Sequence, residues 1–215
     1  MTWKRARTED KKTERKEMIL RAALALFKKN SYEGLSFNGI AFEAGFTKSN
    51  MYRYFSSKEE IFLNIFSKFF QEWVKDYIKG LKKLKEEENT YHFAETWTNS
   101  FNKHNEFLDL MPILFVSLEK NSSYEQLYEF KKVAKALLYK ISLEITRIYP
   151  DISVEMAFNF LNLSYAATSS FWSASTENEA LKRIYEQDIF KNLKIDFEKD
   201  ISNSIEIIIK GIRVK

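Results

Sequence analysis

Only two prolines and five isolated glycines interrupt these 215 residues, and that scarcity of breakers constrains the fold more than any other feature. A sheet-rich domain needs frequent turns, and turns draw on Gly and Pro. A chain this poor in both is written for long helices. With 45% hydrophobic residues it also carries enough apolar surface for a substantial core. An all-α fold is the expectation.

Periodicity marks out the helices. Met18/Ile19, Ala22/Ala23 and Leu26/Phe27 recur every four residues and predict a first helix over about Thr13 to Lys29. Ser57-Lys58-Glu59-Glu60 reads as a capping box that opens a long helix, whose apolar positions from Ile61 to Leu84 keep helical spacing to about Lys85. The charged run Lys82 to Glu88 ends in a loop at Asn89-Thr90. Next come a helix over Tyr91 to His104, a break near Asp109 to Met111 ahead of Pro112, and a second capping box at Ser123-Tyr124-Glu125-Gln126 opening a helix to Tyr149. Ser153 caps a further helix to about Ser175, and residues 178–186 and 196–213 read as two more. The count is eight or nine helices and no strand.

Residues 36–55, SFNGIAFEAGFTKSNMYRYF, are the most telling stretch for function. They spell two short helices joined by a tight turn, the form of a helix-turn-helix. Ser36 can cap the first helix, Ile40, Ala41 and Ala44 form its inner face, and Gly45 supplies the left-handed residue that ends it. Thr47 caps the second, which carries Lys48, Ser49, Asn50, Tyr52 and Arg53, side chains that hydrogen-bond base edges and phosphates. Charge follows the motif. The first 60 residues hold 13 Lys+Arg against 8 Asp+Glu, while the remainder holds 21 against 22. Lys4, Arg5, Arg7, Lys11 and Lys12 are either a solvated tail or an arm that touches DNA.

Other classes find little support. There is no Cys, which removes disulfides, thiolate catalysis and most structural zinc sites and fits a cytoplasmic protein. His92 and His104 have no metal-ligand spacing, and neither a nucleophile elbow nor a phosphate-binding glycine loop is present, so no catalytic residue, metal or cofactor is expected. No membrane span or secretory leader is expected either. One rival stays open, an all-helical ligand-binding or membrane-surface/protein-interaction module without sequence-specific DNA binding, suggested by the amphipathic fourth helix and the basic N-terminus.

The run from Arg15 to Phe62 resembles the N-terminal domain of the tetracycline-repressor (TetR) family of transcriptional regulators. The resemblance rests on IL-x-AA-x-x-LF at Ile19 to Phe27, Tyr32-Glu33-Gly34, Ile40-Ala41-x-x-Ala44-Gly45, and Tyr52-x-Tyr54-Phe55-x-x-Lys58-Glu59-Glu60-x-Phe62. Two positions depart from the family pattern, Gly39 and Ser49, where members commonly carry a better helix former and Gly. The resemblance implies a helix-turn-helix domain over residues 1–57, with its basic arm, and a helical effector-binding and dimerisation domain over 58–215. It implies a homodimer, expected to repress, that binds a palindromic operator and leaves it when a small molecule binds. Ser36, Thr47, Tyr52 and Lys58 are expected at phosphates, Lys48, Ser49 and Asn50 at bases, and Arg53 at either a phosphate or solvent.

A ligand cavity is implied by the same resemblance. Its candidate lining is Phe66, Trp73, Trp97, Phe101, Phe107, Met111, Phe115, Tyr128, Phe158, Tyr165 and Trp172, with Asn102, His104 and Asn162 as polar members. So many rings point to an apolar or aromatic effector. For the dimer interface, Ala166, Ala167, Ser170 and Ser173 permit close helix approach, and Ile201, Ile205, Ile208, Ile209 and Ile212 form an aliphatic stripe. Taken alone that stripe favours packing within one chain; beside the reader motif it favours a contact between two copies.

Overall fold

The computed structural model describes residues 2–214, with side chains from Asp10 onward. It is helical throughout, and no strand occurs among the described residues. The chain forms two compact units, Met1–Lys68 with Ile113–Lys132, and Phe69–Pro112 with Val133–Lys215.

The first unit contains α1 (Thr2–Phe27), α2 (Phe37–Glu43), α3 (Lys48–Met51) and the opening of α4 (Lys58–Leu81), followed later in the chain by a π-helical turn at Leu114–Leu118 and the start of α7 (Tyr124–Ile148). Ile19, Leu20 and Ala23 of α1, Ile40 and Ala41 of α2, and Ile61, Phe62 and Ile65 of α4 are all buried, and α1 packs against α2. Phe27 and Tyr32 both set ring edges against Phe62, at 5.5 and 5.1 Å between centroids. Helix α1 begins at Thr2 rather than near Thr13, so the backbone is helical where a tail or arm was expected. Lys11 and Lys12 lie exposed on it, whereas the side chains of Lys4, Arg5 and Arg7 lie outside the described residues.

The second unit contains the rest of α4, α5 (Thr90–Asn99), α6 (Asn105–Leu110), most of α7, α8 (Val154–Ser175), α9 (Glu179–Tyr185) and α10 (Phe197–Arg213). Helix α4 stops at Leu81, four residues before its apolar spacing suggests. Arg147 donates to the Leu81 and Leu84 carbonyls at 2.8 and 2.9 Å, which satisfies the open helix end from the side. Near that end Gly80 lets α5 approach closely, since a Cβ there would stand 2.9 Å from Thr96 Cγ2. The expected helix over Tyr91 to His104 ends at Asn99, where Ser100 Oγ turns back to the Trp97 carbonyl. Pro112 sits inside a 3-10 turn, Met111–Ile113, and the chain then widens into the π turn. Asp196 caps α10, and Arg213 at its far end pairs with Asp151 and Glu87 and lies over the Tyr149 ring.

The stripe on α10 resolves one alternative. Ile201, Ile205 and Ile209 are wholly buried within the single chain, on a helix that packs against α5 and α8. Their assignment to a surface between two copies is therefore corrected: they are spent on their own core. Ile208 and Ile212 are half-buried, and Ile207, which the stripe did not include, is 70% exposed.

Candidate nucleic-acid interface

The two reader helices are fixed by local chemistry. Ser36 Oγ accepts the Gly39 N–H at 3.0 Å and opens α2, and Thr47 Oγ1 accepts the Asn50 N–H at 3.3 Å and opens α3. Between them Gly45 adopts φ +71°, and the Phe46 N–H reaches back to the Ala41 carbonyl at 2.8 Å. That left-handed residue and return bond close α2 and turn the chain sharply into α3.

Rings then lock the turn in place. Phe46 sets its edge on Tyr54 at 5.8 Å between centroids, Arg15 lies 5.5 Å from the Phe46 ring, and Lys16 lies 5.7 Å from the Phe55 ring. Met51 and Phe55 are buried. With the inner face of α3 held, its other face is presented outward: Lys48, Ser49, Asn50, Tyr52 and Arg53 are all exposed.

One open groove gathers Ser36, Lys48, Tyr52 and Lys58, four of the eight expected DNA-contacting residues. Its wall also includes Phe37, Asn38, Ser56 and Ser57. Phe37 packs on Tyr52 at 5.1 Å between centroids, which orients the phenol at the rim. Phe37 and Asn38 were missed by the sequence reading. Their signal was position, immediately after a cap at the start of a reader helix. Lys58 is more committed than expected, donating to the Tyr32 and Leu35 carbonyls at 3.2 and 2.9 Å and sitting over the Tyr32 ring. Burial, with the nearby Glu59 adding to it, pushes the Tyr32 phenol up to about 12, so it stays a neutral donor.

Glu60 is the other residue that sequence undervalued. It is 2% exposed and accepts two backbone N–H groups, from Ser56 at 2.6 Å and from Ser123 at 3.0 Å. Burial opposes its charge, but hydrogen bonds from the side chain and backbone of Ser123 and of Ser56 together outweigh burial and hold the carboxyl below its ordinary value of 4.5. Within the first unit this carboxylate thus ties the end of the reader segment to the start of α7. Both capping boxes are altered as a result. Ser57 Oγ caps the Glu60 N–H as expected, whereas the Ser123 N–H is taken by Glu60, and Gln126 instead accepts from Asn64 at 2.9 Å. A seam of further bonds runs alongside, with Ser57 donating to the Asn121 carbonyl and the Tyr32 hydroxyl 3.3 Å from Ser117 Oγ.

The expected ligand-lining residues are divided between the two units. Phe66, Phe115 and Tyr128 belong to the first unit and the other eleven to the second. Phe66 is buried against Phe130, while Phe115 and Tyr128 are about half exposed, Tyr128 stacking on Tyr124. In the second unit Trp73, Trp97, Phe101, Phe107 and Met111 are buried, Phe158, Tyr165 and Trp172 are half-buried, and Asn102 and Asn162 are exposed. His104 is buried and pairs with Asp76 at 3.1 Å, and both line an open groove with Asn102, Lys79, Lys83 and Lys103. Tyr165 donates to the Met111 carbonyl and Trp172 to Asp109. Ala166, Ser170 and Ser173 are exposed on α8 and Ala167 is half-buried.

Among the described residues no helix is long and apolar enough to cross a membrane, and no group of three His, Cys, Asp or Glu side chains could hold a metal ion. Two capped helices around a left-handed glycine, with a polar outer face and a groove at its foot, define a helix-turn-helix DNA reader. Residues 19–65 match the family described as bacterial regulatory proteins, tetR family, and residues 67–215 match the tetracyclin repressor-like C-terminal domain. The chain belongs to the TetR family, whose members are DNA-binding transcriptional regulators and not enzymes.

Individual relatives agree. The chain is 38% identical over 58 residues to the uncharacterized HTH-type transcriptional regulator YfiR of Bacillus subtilis (strain 168), a match spanning 27% of this chain and 28% of that protein. Three solved structures share the fold along nearly their whole length. A TetR/AcrR-family regulator from Thermobifida fusca is 17% identical with a TM-score of 0.55, covering 90% of this chain and 97% of that one. The fatty acid degradation regulator FadR from Bacillus halodurans is 12% identical with a TM-score of 0.52, covering 93% and 95%. The TetR-family regulator PfmR from Thermus thermophilus is 20% identical with a TM-score of 0.50, covering 88% and 92%.

Proposed function

We propose that this regulator is a cytoplasmic repressor that binds a palindromic operator as a homodimer and is released by a small-molecule effector. The observation that carries the reading is the outward face of α3 with its adjoining groove. Lys48, Ser49 and Asn50 face outward at the start of α3, where side chains reach base edges. Ser36, Thr47, Tyr52 and Lys58 flank them as phosphate contacts, with Lys58 acting through the N-terminus of α4 that it opens. Arg53 adds an exposed positive charge.

A dimer is supported by what α8 and α10 leave uncovered. Leu163, Ala166, Ser170 and Ser173 on α8, and Ile207, Ile208 and Gly211 on α10, recur at helical spacing on surfaces that one chain does not fill. Small and aliphatic residues in this pattern suit a four-helix contact between two copies. Pairing makes sense of the reader: two α3 helices about 34 Å apart enter successive major grooves and multiply their discrimination. Release then follows from linkage, because an effector shifts the equilibrium only if it prefers an arrangement whose reader helices no longer match those grooves.

Binding to the duplex upstream of its own gene tests the reading. Sequence preference retained as salt rises, with two copies per site and symmetric protection, is the expected result. Salt-sensitive binding without preference, or binding only to anionic lipid vesicles, would refute it.

A further inference from the structure

Charge is unevenly placed on the second unit. Residues 61–215 hold 21 Lys+Arg against 22 Asp+Glu, so an even mixture would leave no face strongly charged. Two open grooves of this unit meet at Lys79 and depart from that balance. One is walled by Lys75, Lys79 and Lys82 together with Lys140 of α7, over a floor of Val74, Ile78 and Leu137 that suits lysine stems. The other is walled by Lys79, Lys83 and Lys103. Against these six lysines the two walls set one carboxylate, Asp76, and His104 holds it at 3.1 Å. Glu72 and Glu86 are exposed but line neither groove.

All six lysines are exposed, and among the described residues none has an ion pair or a side-chain hydrogen bond. Other exposed lysines of the same unit are paired: Lys182 with Glu179, Lys191 with Asp188, Lys194 with Glu177 and Lys210 with Glu206. Like charges one helical turn apart, as at Lys75 and Lys79, repel. The C-terminal end of α4 attracts cations, but Arg147 already occupies the Leu81 and Leu84 carbonyls there. That attraction also fades within one turn, so it accounts for neither Lys75 nor Lys140, which lies in the interior of α7. The fold itself makes no use of this row of charge.

We propose that the lysines flanking the second half of α4 form a further DNA-contacting surface, separate from α3, that holds the phosphate backbone of a duplex without regard to its sequence. Lys75 to Lys82 extends over roughly 10 Å of helix axis, which no single compact anion covers. Phosphates along one strand recur about every 3.4 Å, so such a row faces about three of them. An anionic bilayer also repeats its charge, but a helix that lies in one needs an apolar face to insert. Here Trp73, Val74, Tyr77 and Leu81 of α4 are all buried in the protein. The surface adds to the α3 reader and does not depend on which operator α3 selects.

Fluorescence anisotropy of the full-length protein with a labelled duplex of scrambled sequence, repeated across salt concentrations, is the test. Combined Lys75→Gln, Lys79→Gln, Lys82→Gln and Lys83→Gln removes the row, while Lys182→Gln, Lys191→Gln, Lys194→Gln and Lys210→Gln removes the same charge from paired positions. The row variant is expected to flatten the slope of log K against log salt by about 2–3, and the control by less than about 1. Should the row variant melt below the parent, Lys103→Gln with Lys140→Gln, placed on other segments, reads the same slope and should flatten it by about 1–2. Unchanged slopes, or equal flattening by the row and control variants, overturn the proposal. So does a row variant that loses binding to phosphatidylglycerol vesicles while its DNA slope is unchanged. Preference for the duplex upstream of the gene over the scrambled one reports on α3 alone. Preference with unchanged slopes removes this surface and leaves the reader, whereas a flattened slope on a parent without preference does the reverse.

Discussion

Replacing Glu60 with Ala tests how the reader domain is held together. The carboxylate accepts the Ser56 N–H at 2.6 Å and the Ser123 N–H at 3.0 Å while only 2% exposed, so removing it strands two backbone donors with little water to replace the acceptor. Hydrogen bonds to a charged group are worth about 1.5–3 kcal/mol each, which places the loss of two at roughly 3–6 kcal/mol. Glu60→Gln keeps one acceptor oxygen but turns an amide N–H toward a donor, and should lose about half as much. For a chain of this size 3 kcal/mol lowers the melting temperature by roughly 6–12 °C. The pH dependence carries a second signature. Because the folded carboxyl titrates below its ordinary value of 4.5, the unfolded chain takes up the proton first. The contribution is therefore complete above that value and lost as pH falls through the lower folded one. Thermal and urea denaturation of the wild type and both variants between pH 7 and about pH 3 would measure this. A Glu60→Ala protein melting within about 2 °C of wild type, with the same acid limb, would refute the reasoning.

Four further substitutions probe the reader and the dimer. Gly45→Ala should lower stability by about 1–2 kcal/mol purely through its φ of +71°, because nothing lies within 4 Å of the added Cβ; an unchanged urea midpoint would argue against that cause. Tyr52→Ala should weaken binding to all duplexes similarly, whereas Asn50→Ala should relax preference at particular base pairs by about 1–3 kcal/mol; equal losses on every sequence would undo the division between phosphate and base contacts. Gly211→Leu meets open space within one chain, so it should leave the monomer fold intact while weakening self-association in sedimentation equilibrium, and unchanged association would move the interface elsewhere.

Local chemistry was the legible part of this molecule. Ser36, Thr47 and Ser153 cap the helices their spacing announced, and Gly45 takes the left-handed conformation its position demanded, because each effect spans at most four residues. What escaped depends on partners distant in the chain. Arg147 ends α4 from 66 residues away, and Glu60 takes the N–H of Ser123, 63 residues on, in place of the local capping partner. The apolar stripe of α10 was readable as a stripe, but periodicity does not say whether a face meets its own chain or a copy. Ile201, Ile205 and Ile209 meet their own chain. The aromatic residues were likewise countable but not assignable. Trp97 and Phe101 went into the core and Tyr128 stayed at the surface, a choice made by tertiary packing that composition does not contain.

The central claim is that two copies place their α3 helices in successive major grooves of one specific duplex. Footprinting of the region upstream of the gene, with the protein-to-DNA ratio measured on the same complex by analytical ultracentrifugation, tests it most directly. The account predicts two protected half-sites related by a two-fold axis, about one helical turn apart, with two chains bound. A single unrepeated half-site occupied by one chain, or uniform protection of unrelated fragments, would contradict it.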